Sequence, residues 1–435
     1  MPLDTHTPAL SRRSLLGQLL LAGSAWAAPA AWAQNDRTAR ADGRLVLVFL
    51  RGAYDGLSAL VPYADRDYYR LRPNIAIAAP DGSAQAALAL DDTFALHPAL
   101  APLLPLWQQG VLAVLPAAGS PDPTRSHFDA QHHWEVGSPG KGGATQGWMN
   151  QLASLKAPRP GSGADKPGAL GVGEANPFIL AGPAPVQRVP RGQAATQQGA
   201  MGNERTRDSV LKLYGGDDSL SQAFRAGAQS RAQTAQTLRE NDRGTMGMMA
   251  GDRQEMMAAN NGAPPARGLL LDAQYLGTLM RQNRSLRLGF LSAGGWDTHA
   301  NQGAATGALA NNLASLAQAL VQLRQDFAQP NDVVVVCSEF GRTSAENGTR
   351  GTDHGHGNAL WLMGNKVQGG RWHGQWTGLA PGNLHEGRDL PVHHDFRGVL
   401  AQVLKASQGL DLAELETLFP GLAWDRALDG MMRTT

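Results

Sequence analysis

Cysteine is almost absent from this chain of 435 residues, which contains one, Cys337. A single cysteine excludes an internal disulfide framework and any zinc or iron–sulfur site built from several cysteines. A metal in this protein must therefore be held by His, Asp and Glu. The chain also lacks a charge excess, because 38 Lys and Arg residues balance 37 Asp and Glu residues, and it has no run of basic residues. We expect no nucleic-acid partner.

Long apolar runs are also missing, since no segment after the N-terminus approaches the roughly 20 continuous apolar residues that span a bilayer. The N-terminal stretch SRRSLLGQLLLAGSAWAAPAAWAQ joins Arg12 and Arg13 to a short apolar run and an Ala-Trp-Ala cleavage pattern at 31–33. This pattern predicts a twin-arginine signal peptide over residues 1–33, with an ordinary secretory signal as the alternative. We expect the twin-arginine translocation machinery as a partner, a periplasmic or secreted location, and no stable membrane insertion after cleavage.

Several apolar segments predict buried parallel strands that lead into polar residues. RLVLVFL at 44–50 is followed by RGAYDG, VLAVLPAAG at 111–119 leads into PTRSHFDAQHHWEVG, and LRLGFLSA at 286–293 is followed by GGWDTHANQ. The helical pattern at 307–328 precedes the β-branched strand in NDVVVVCSEFGRT, and the strand NALWLMG at 358–364 follows GTDHGHG. In open α/β sheets, ligands bind at the carboxyl edge of the strands. We expect the functional site there.

This alternation of strands and helices predicts an α/β fold with a mostly parallel central sheet flanked by helices. We expect a single domain over residues 44–430. Residues 190–265 are rich in Arg, Gln, Ala, Met and Gly. They predict a helical, partly disordered insert.

The polar residues next to these strands are carboxylates and imidazoles, the ligand types of divalent metals. Several carboxylates packed into one crevice without a cation would repel one another. We therefore expect one or two divalent ions, Zn²⁺, Mn²⁺, Mg²⁺ or Ca²⁺. The candidate ligands are Asp55, Asp297, His299, Glu339, Asp353, His354 and His356.

The order of these motifs resembles the alkaline phosphatase superfamily, which includes sulfatases and cofactor-independent phosphomutases. With the twin-arginine pattern, the motifs RGAYDGLS, RSHFDAQ, GGWDTHANQ, SEFGRT and GTDHGHGN are similar to an exported bacterial family, the domain of unknown function numbered 1501. They span residues 55 to about 361. The resemblance implies an alkaline-phosphatase-like sandwich with two metal positions, with Asp55 at one, Asp297 and His299 at the other, and His354 as the last histidine ligand.

One departure from the superfamily pattern concerns the usual Asp-His pair at a strand end, which corresponds here to Glu339-Phe340. Phe340 occupies the place of a metal histidine, so one site loses an imidazole unless His127 or His356 replaces it. In an alternative alignment Asp353-His354 takes the place of that pair, and Glu339 then lies behind the ligands.

The resemblance also implies a hydroxyl nucleophile from PTRSHFDAQ, with Ser126 as the first choice and Thr124 as the second. Arg125 and Arg342 are candidates to clamp the non-bridging oxygens of the substrate, and His127 is a further catalytic candidate. Cys337 lies inside a strand, which disfavours the sulfatase mechanism that modifies a cysteine.

Two functions follow as hypotheses. The first is an exported metal-dependent hydrolase that uses a serine nucleophile on a phosphate or sulfate ester, carried by a small molecule or a polymer. The second is a non-catalytic envelope or polymer-binding protein that keeps the scaffold with a reduced metal site. If no residue replaces the imidazole lost at Phe340, catalysis through two metals is disfavoured and the binding protein is favoured.

Overall fold

The computed structural model of the protein describes residues 42–138, 143–157, 166–197, 199–240 and 257–434. The predicted signal peptide at 1–33 lies outside these residues. The chain from Gly43 to Thr435 forms one compact unit. No helix in the described ranges is long and apolar enough to cross a membrane.

The strands of the described residues form a large and a small sheet. They are β1 (Leu45–Leu50), β2 (Leu60–Val61), β3 (Leu88–Ala89), β4 (Ala95–Leu96), β5 (Leu112–Gly119), β6 (Ala169–Gly173), β7 (Val186–Pro190), β8 (Leu288–Ala293), β9 (Val333–Cys337), β10 (Asn358–Gly364), β11 (Arg371–Trp372) and β12 (His394–Asp395). The large sheet has the order β11-β5-β10-β9-β1-β8-β6-β7, with β12 paired to β5, and the small sheet has the order β2-β4-β3.

Helices connect these strands. The α-helices are α1 (Gly56–Ala59), α2 (Arg66–Leu71), α3 (Leu104–Gln108), α4 (His127–Val136), α5 (Trp148–Leu155), α6 (Glu204–Leu213), α7 (Ser219–Glu240), α8 (Met257–Asn260), α9 (Leu269–Gln282), α10 (Ala308–Asp326), α11 (Phe396–Gln408) and α12 (Leu412–Leu418). Short 3₁₀ helices occupy Pro98–Leu103, Phe178–Leu180, Gly192–Thr196, Gly199–Gly202, Ala266–Gly268, Pro381–Asn383 and Arg426–Leu428.

Helices cover both faces of the large sheet, and β1 shows why its sequence is apolar throughout. Its alternate residues Val46 and Val48 belong to the core that includes α9 and α10. The intervening Leu47 and Phe49 belong to the core that includes α5 and α11. A strand buried on both faces needs apolar residues at every position. The predicted α/β fold class, with a mostly parallel sheet flanked by helices, is confirmed.

The direction of β10 determines which loops meet. Strands β1, β8, β9 and β6 run parallel to one another, whereas β10 runs antiparallel to both β5 and β9. The start of β10 therefore lies at the same edge as the carboxyl ends of the parallel strands. This orientation brings the segment at 353–356, which precedes β10, to the polar residues that follow β8 and β9.

The predicted insert at 190–265 contains the helices α6, α7 and α8. Helix α6 buries none of its side chains, whereas α7 buries Ala235 and Leu238 against the core. Residues 198 and 241–256 of this insert lie outside the described residues, and its partial disorder stays a prediction.

Candidate metal centre

Four side chains from distant parts of the chain bring their ligand atoms together. Atoms of His127, Asp297 and His354 all lie within 4.8 Å of one another. Nε2 of His354 lies 3.0 Å from Nε2 of His127 and 3.3 Å from Oδ1 of Asp297. His299 lies beside this group, because its Nε2 lies 3.0 Å from Nε2 of His354 and 2.9 Å from Oδ1 of Asp297, and its role as a ligand stays a prediction. These four residues are named the candidate metal cluster.

The fold explains why these side chains meet. His127 is the first residue of α4, which follows β5 through a short loop. Asp297 and His299 follow β8, and His354 precedes the antiparallel strand β10. All four therefore extend from the edge at which the parallel strands end. This is the edge that the sequence predicts for the site.

Each imidazole of the cluster is held by an oxygen acceptor at its other nitrogen. Nδ1 of His127 lies 2.7 Å from Oε1 of Glu339, and Nδ1 of His299 lies 2.9 Å from Oδ1 of Asp353. Nδ1 of His354 lies 2.9 Å from the backbone oxygen of Arg125. Because these acceptors keep a proton on Nδ1, Nε2 of each neutral ring presents a lone pair.

Imidazole lone pairs and a carboxylate directed at one another repel unless protons or a metal ion lie between them, and the Asp297 carboxylate also pairs with Arg342. The contacts of Asp297 and His354 with each other and with the other two members are 2.9 to 3.5 Å long, which agrees with a common ion. Ligands held at ordinary zinc distances in a tetrahedron lie roughly 3.3 Å apart. The residues present therefore fit a divalent metal ion.

The electrostatics of the cluster favour a cation. Burial acts to raise the pKa of Asp297, but hydrogen bonds from His127, His354 and Arg342 outweigh it and lower that pKa far below its usual value. Burial acts to lower the pKa of His127, but its bonds to Asp297 and Glu339 outweigh it and raise the pKa to about 9. An ion that binds Nε2 of His127 must displace a proton from it.

Glu339 is predicted as a metal ligand, and the structure places it behind His127. Its side chain is fully buried, and Oε1 accepts hydrogen bonds from the backbone N–H of Gly52 and from Gln131 as well as contacting His127. Burial acts to raise the pKa of Glu339, but the bond with His127 outweighs it, so the pKa is lowered. This is the arrangement that the alternative alignment gives to Glu339.

Phe340 packs against the cluster. Its ring stacks on His127 with centroids 4.9 Å apart and lies 5.2 Å from the ring of His354. His127 thus stands beside Phe340, where the resemblance predicts the loss of a metal histidine. It adds a third imidazole to the cluster.

Asp55, the acid that follows β1, also lies outside the cluster. It is 1% exposed, and its oxygens accept bonds from both terminal nitrogens of Arg72, at 2.6 and 3.1 Å, and from Ser58 and Gln302 at 2.7 Å. The positive charge beside this carboxylate is a guanidinium. A metal role for Asp55 stays a prediction.

The two remaining predicted ligands also lie outside the four-residue cluster. Asp353 holds Nδ1 of His299, and this bond is the main cause of its lowered pKa. His356 is buried with its ring 4.4 Å from that of His385, and burial lowers its pKa to about 4. A ligand role for these two residues stays a prediction.

The predicted nucleophiles lie immediately before His127. Ser126 is exposed and caps α4, because its side chain accepts the backbone N–H of Asp129. Oγ1 of Thr124 accepts the backbone N–H of Ser126 at 3.2 Å. The choice between these two hydroxyl groups stays a prediction.

The two predicted clamping arginines differ in their surroundings. Arg125 is 35% exposed and binds Glu386 and Asp389 through one terminal nitrogen. Arg342 is buried, and its N–H groups bind four backbone carbonyls and Asp297. Arg342 therefore ties together the loops that carry the cluster, while its clamping role stays a prediction.

Sequence reasoning missed two groups near the site. Gln131 bonds Glu339, and it lies four residues after His127 on a helix that the sequence predicts, so helical spacing could have identified it. Arg72 pairs with Asp55 across 17 residues. No local pattern in the sequence signals that pair.

Replacing Asp353 by alanine is expected to weaken metal binding by about 10-fold to 100-fold, because His299 loses the acceptor that orients its ring. The melting temperature should change little, since the Asp353 side chain is 54% exposed. Titration calorimetry with Zn²⁺ measures the first effect and thermal denaturation the second. Asp92→Ala, at an exposed position outside the cluster, is the matched control. Equal affinity in both variants would remove His299 from the ligand set.

The fold and the cluster together define an α/β protein with a candidate His/Asp metal centre at the carboxyl edge of its sheet. The family described as "Protein of unknown function (DUF1501)" matches residues 42–419, and the chain belongs to this family. The predicted resemblance to that family is confirmed. No curated protein matches the sequence.

Similar solved structures are alkaline phosphatases. The enzyme from the Antarctic bacterium TAB5 is 10% identical with a TM-score of 0.32, and the match covers 77% of this chain and 94% of that chain. A histidine variant of the TAB5 enzyme with Mg bound in its M3 site gives 11% identity and a TM-score of 0.33 over the same shares. These similarities are remote.

Proposed function

We propose that this protein is an exported metal-dependent hydrolase of a phosphate or sulfate ester. The observation that carries the proposal is the convergence of three Nε2 atoms and one carboxylate, with every ring oriented by an outer oxygen. Such outer acceptors are typical of metal-binding histidines. The cluster is also open to solvent, since the side chains of His299 and His354 are 45% and 25% exposed.

The ligand set favours the kind of ion. Three imidazoles and one carboxylate suit Zn²⁺, Mn²⁺ or another transition ion better than Mg²⁺ or Ca²⁺, which prefer oxygen ligands. His127, Asp297, His299 and His354 would hold it. When bound, a divalent ion neutralises charge on a phosphoryl or sulfuryl oxygen and makes water a better nucleophile at neutral pH.

The residues of the chain supply the remaining chemistry. Oγ of Ser126 would attack the phosphorus or sulfur atom, form a covalent ester and release the alcohol, and water would then hydrolyse that ester. Its place at the N-terminus of the ten-residue helix α4 stabilises negative charge that develops on Oγ. Arg125 has a second terminal nitrogen with which to bind non-bridging oxygens of the ester.

The location belongs to the same proposal. The twin-arginine pattern at 1–33 supports export to the periplasm or beyond by a route that carries folded proteins. A protein that folds around a metal ion in the cytoplasm suits this route. The substrate would then be an ester on an extracellular small molecule or polymer.

A second candidate, a non-catalytic envelope or polymer-binding protein, is favoured by one observation. The carboxylate of Asp55, at the other metal position of the superfamily pattern, is neutralised by Arg72. One ion would then replace two, which reduces the charge available to stabilise a transition state.

The test combines elemental analysis of the exported protein with assays on p-nitrophenyl phosphate, bis-p-nitrophenyl phosphate and p-nitrophenyl sulfate. We expect about one transition-metal ion per chain and hydrolysis of one ester class that a chelator abolishes. Ser126→Ala should lower kcat by at least ~1000-fold with metal content unchanged. Ser315→Ala, at a partly buried helical serine outside the cluster, is the control.

The same assays separate the two functions. A protein that holds its metal and hydrolyses none of these esters would support the binding function. Hydrolysis that is equal in Ser126→Ala and in the wild type would contradict the serine mechanism.

A further inference from the structure

A cavity of about 450 Å³ lies along α4, the helix that begins at His127. Its volume falls within the range of small-molecule pockets. Three segments build it, namely α4, the residues after β6 and the residues after α8. The lining side chains include Phe128, His132, Glu135, Glu174, Phe178 and Asn261.

The polar wall of this cavity holds two acids and one guanidinium. Glu135 and Glu174 share the guanidinium of Arg51, at distances of 2.7 Å and 3.0 Å. Arg51 also donates to Gln131, and Glu174 also accepts from the hydroxyl of Ser292. All three groups are at least 95% buried, and burial raises the pKa of Glu174.

One oxygen of the Glu135 carboxylate is free to accept a further hydrogen bond. Oε1 accepts from Arg51, whereas Oε2 has no hydrogen-bond partner within the part of the chain that the structure describes. The Glu135 side chain is only 3% exposed and it lines the cavity. Oε2 keeps access to solvent, so a donor on a bound molecule can reach it.

Aromatic residues form the apolar part of the cavity lining. Phe128 is 58% exposed, and the ring of Phe178 lies 5.0 Å from that of His132. Aromatic faces attract organic cations, and a nearby carboxylate adds a charged hydrogen bond. An anion or a neutral alcohol would use only part of this environment.

We propose that this cavity binds an organic ammonium group, with Glu135 accepting its N–H groups and Phe128 covering its alkyl part. The assignment of this group to the substrate rests on the proposed function. Glu135 lies eight residues after His127, which is about 12 Å along the helix. The substrate would therefore be an extended molecule with an amine at a distance from its ester.

The test measures binding of propylammonium to the metal-loaded protein by titration calorimetry, with 1-propanol and propionate as uncharged and anionic analogues. We expect propylammonium to bind in the millimolar range and the two analogues to bind at least ~10-fold more weakly. Glu135→Gln should weaken propylammonium binding at least ~10-fold, since it keeps the acceptor for Arg51 and removes the charge.

A second variant tests the proposal independently in case Glu135→Gln protein does not fold. Phe128→Ala, at an exposed position, should weaken propylammonium binding about threefold to fivefold. Leu412→Ala, at another exposed apolar residue 61% accessible to solvent, is the matched control and should bind as the wild type does. Equal binding of propylammonium and 1-propanol, or unchanged binding in both Glu135→Gln and Phe128→Ala, would overturn the proposal.

Kinetic assays distinguish failure of this proposal from failure of the proposed function. If esters are hydrolysed, the preference for an amine-bearing over a neutral phosphate ester, as a ratio of kcat/KM, should fall at least ~10-fold in Glu135→Gln. Binding of propylammonium without hydrolysis of any ester would contradict the hydrolase and support the cavity. Hydrolysis of neutral esters without binding of propylammonium would support the hydrolase and contradict the ammonium site.

Discussion

His354→Ala protein is expected to lose its divalent ion, with metal affinity lowered by more than ~100-fold and bound metal close to zero after dialysis. Nε2 of His354 lies within 3.3 Å of ligand atoms of each other member of the cluster, so its removal opens the centre of the group. The loss of a direct ligand should exceed the 10-fold to 100-fold effect of an outer partner. Elemental analysis measures the metal content.

The control for this variant is His393→Ala, at a histidine that binds the hydroxyl of Thr377 and lies outside the cluster. It should retain the metal of the wild-type protein. Circular dichroism should show that both variants are folded. Equal metal content in the two variants would show that the cluster does not bind the ion, and the proposed function would lose its main support.

Arg72→Met protein is expected to lose about 3 to 5 kcal/mol of unfolding free energy, because Asp55 would keep a buried charge without its partner. Arg72 is fully buried and Asp55 is 1% exposed. Chemical denaturation measures the loss. Arg70→Met is the matched control, since Arg70 is 56% exposed in its pair with Asp67 and such surface pairs contribute about 0 to 1 kcal/mol. A loss of the same size in both variants would refute the buried pair as a source of stability.

The same pair predicts a direction for pH dependence. Burial acts to raise the pKa of Asp55, but Arg72 outweighs it and the pKa is lowered. An acid with a lowered pKa in the folded state contributes stability above its unfolded pKa of about 3.9 and loses that contribution as pH falls through the folded value. Wild-type protein should therefore lose more stability on acidification below about pH 4 than Arg72→Met does.

Added Zn²⁺ distinguishes two roles for Asp55. If the ion restores stability to Arg72→Met protein beyond its effect on the wild type, the Asp55 position retains the capacity to bind a metal. If it does not, the guanidinium is the cation that this position requires. His354→Ala in the same background controls for binding at the cluster.

The secondary structure around the site follows closely from the sequence. The helix predicted at 307–328 is observed as Ala308–Asp326, and the strand predicted at 111–119 is observed as Leu112–Gly119. These elements were predictable because their burial requires apolar residues at a regular spacing. The parallel strands in turn place Asp297 and His299 at the carboxyl edge.

The other members of the cluster were less accessible from the sequence. TDH precedes a strand, and only the antiparallel direction of β10 brings His354 to the edge where the parallel strands end. His127 enters the cluster because α4 starts beside Glu339, a contact across 212 residues. Local patterns carry no information about such pairs.

The sequence by itself determined the α/β fold class, the edge of the sheet that carries the polar residues, and the chemical types of the candidate ligands. Apolar periodicity and strand ends are local properties, and each can be inferred from a few neighbouring residues. The tertiary structure alone decided which acids meet imidazoles. Asp297 and Asp55 both follow a buried strand and both pair with a buried arginine, yet Asp297 also meets three imidazoles. That difference depends on side chains contributed by distant segments, whose positions only the packed fold sets.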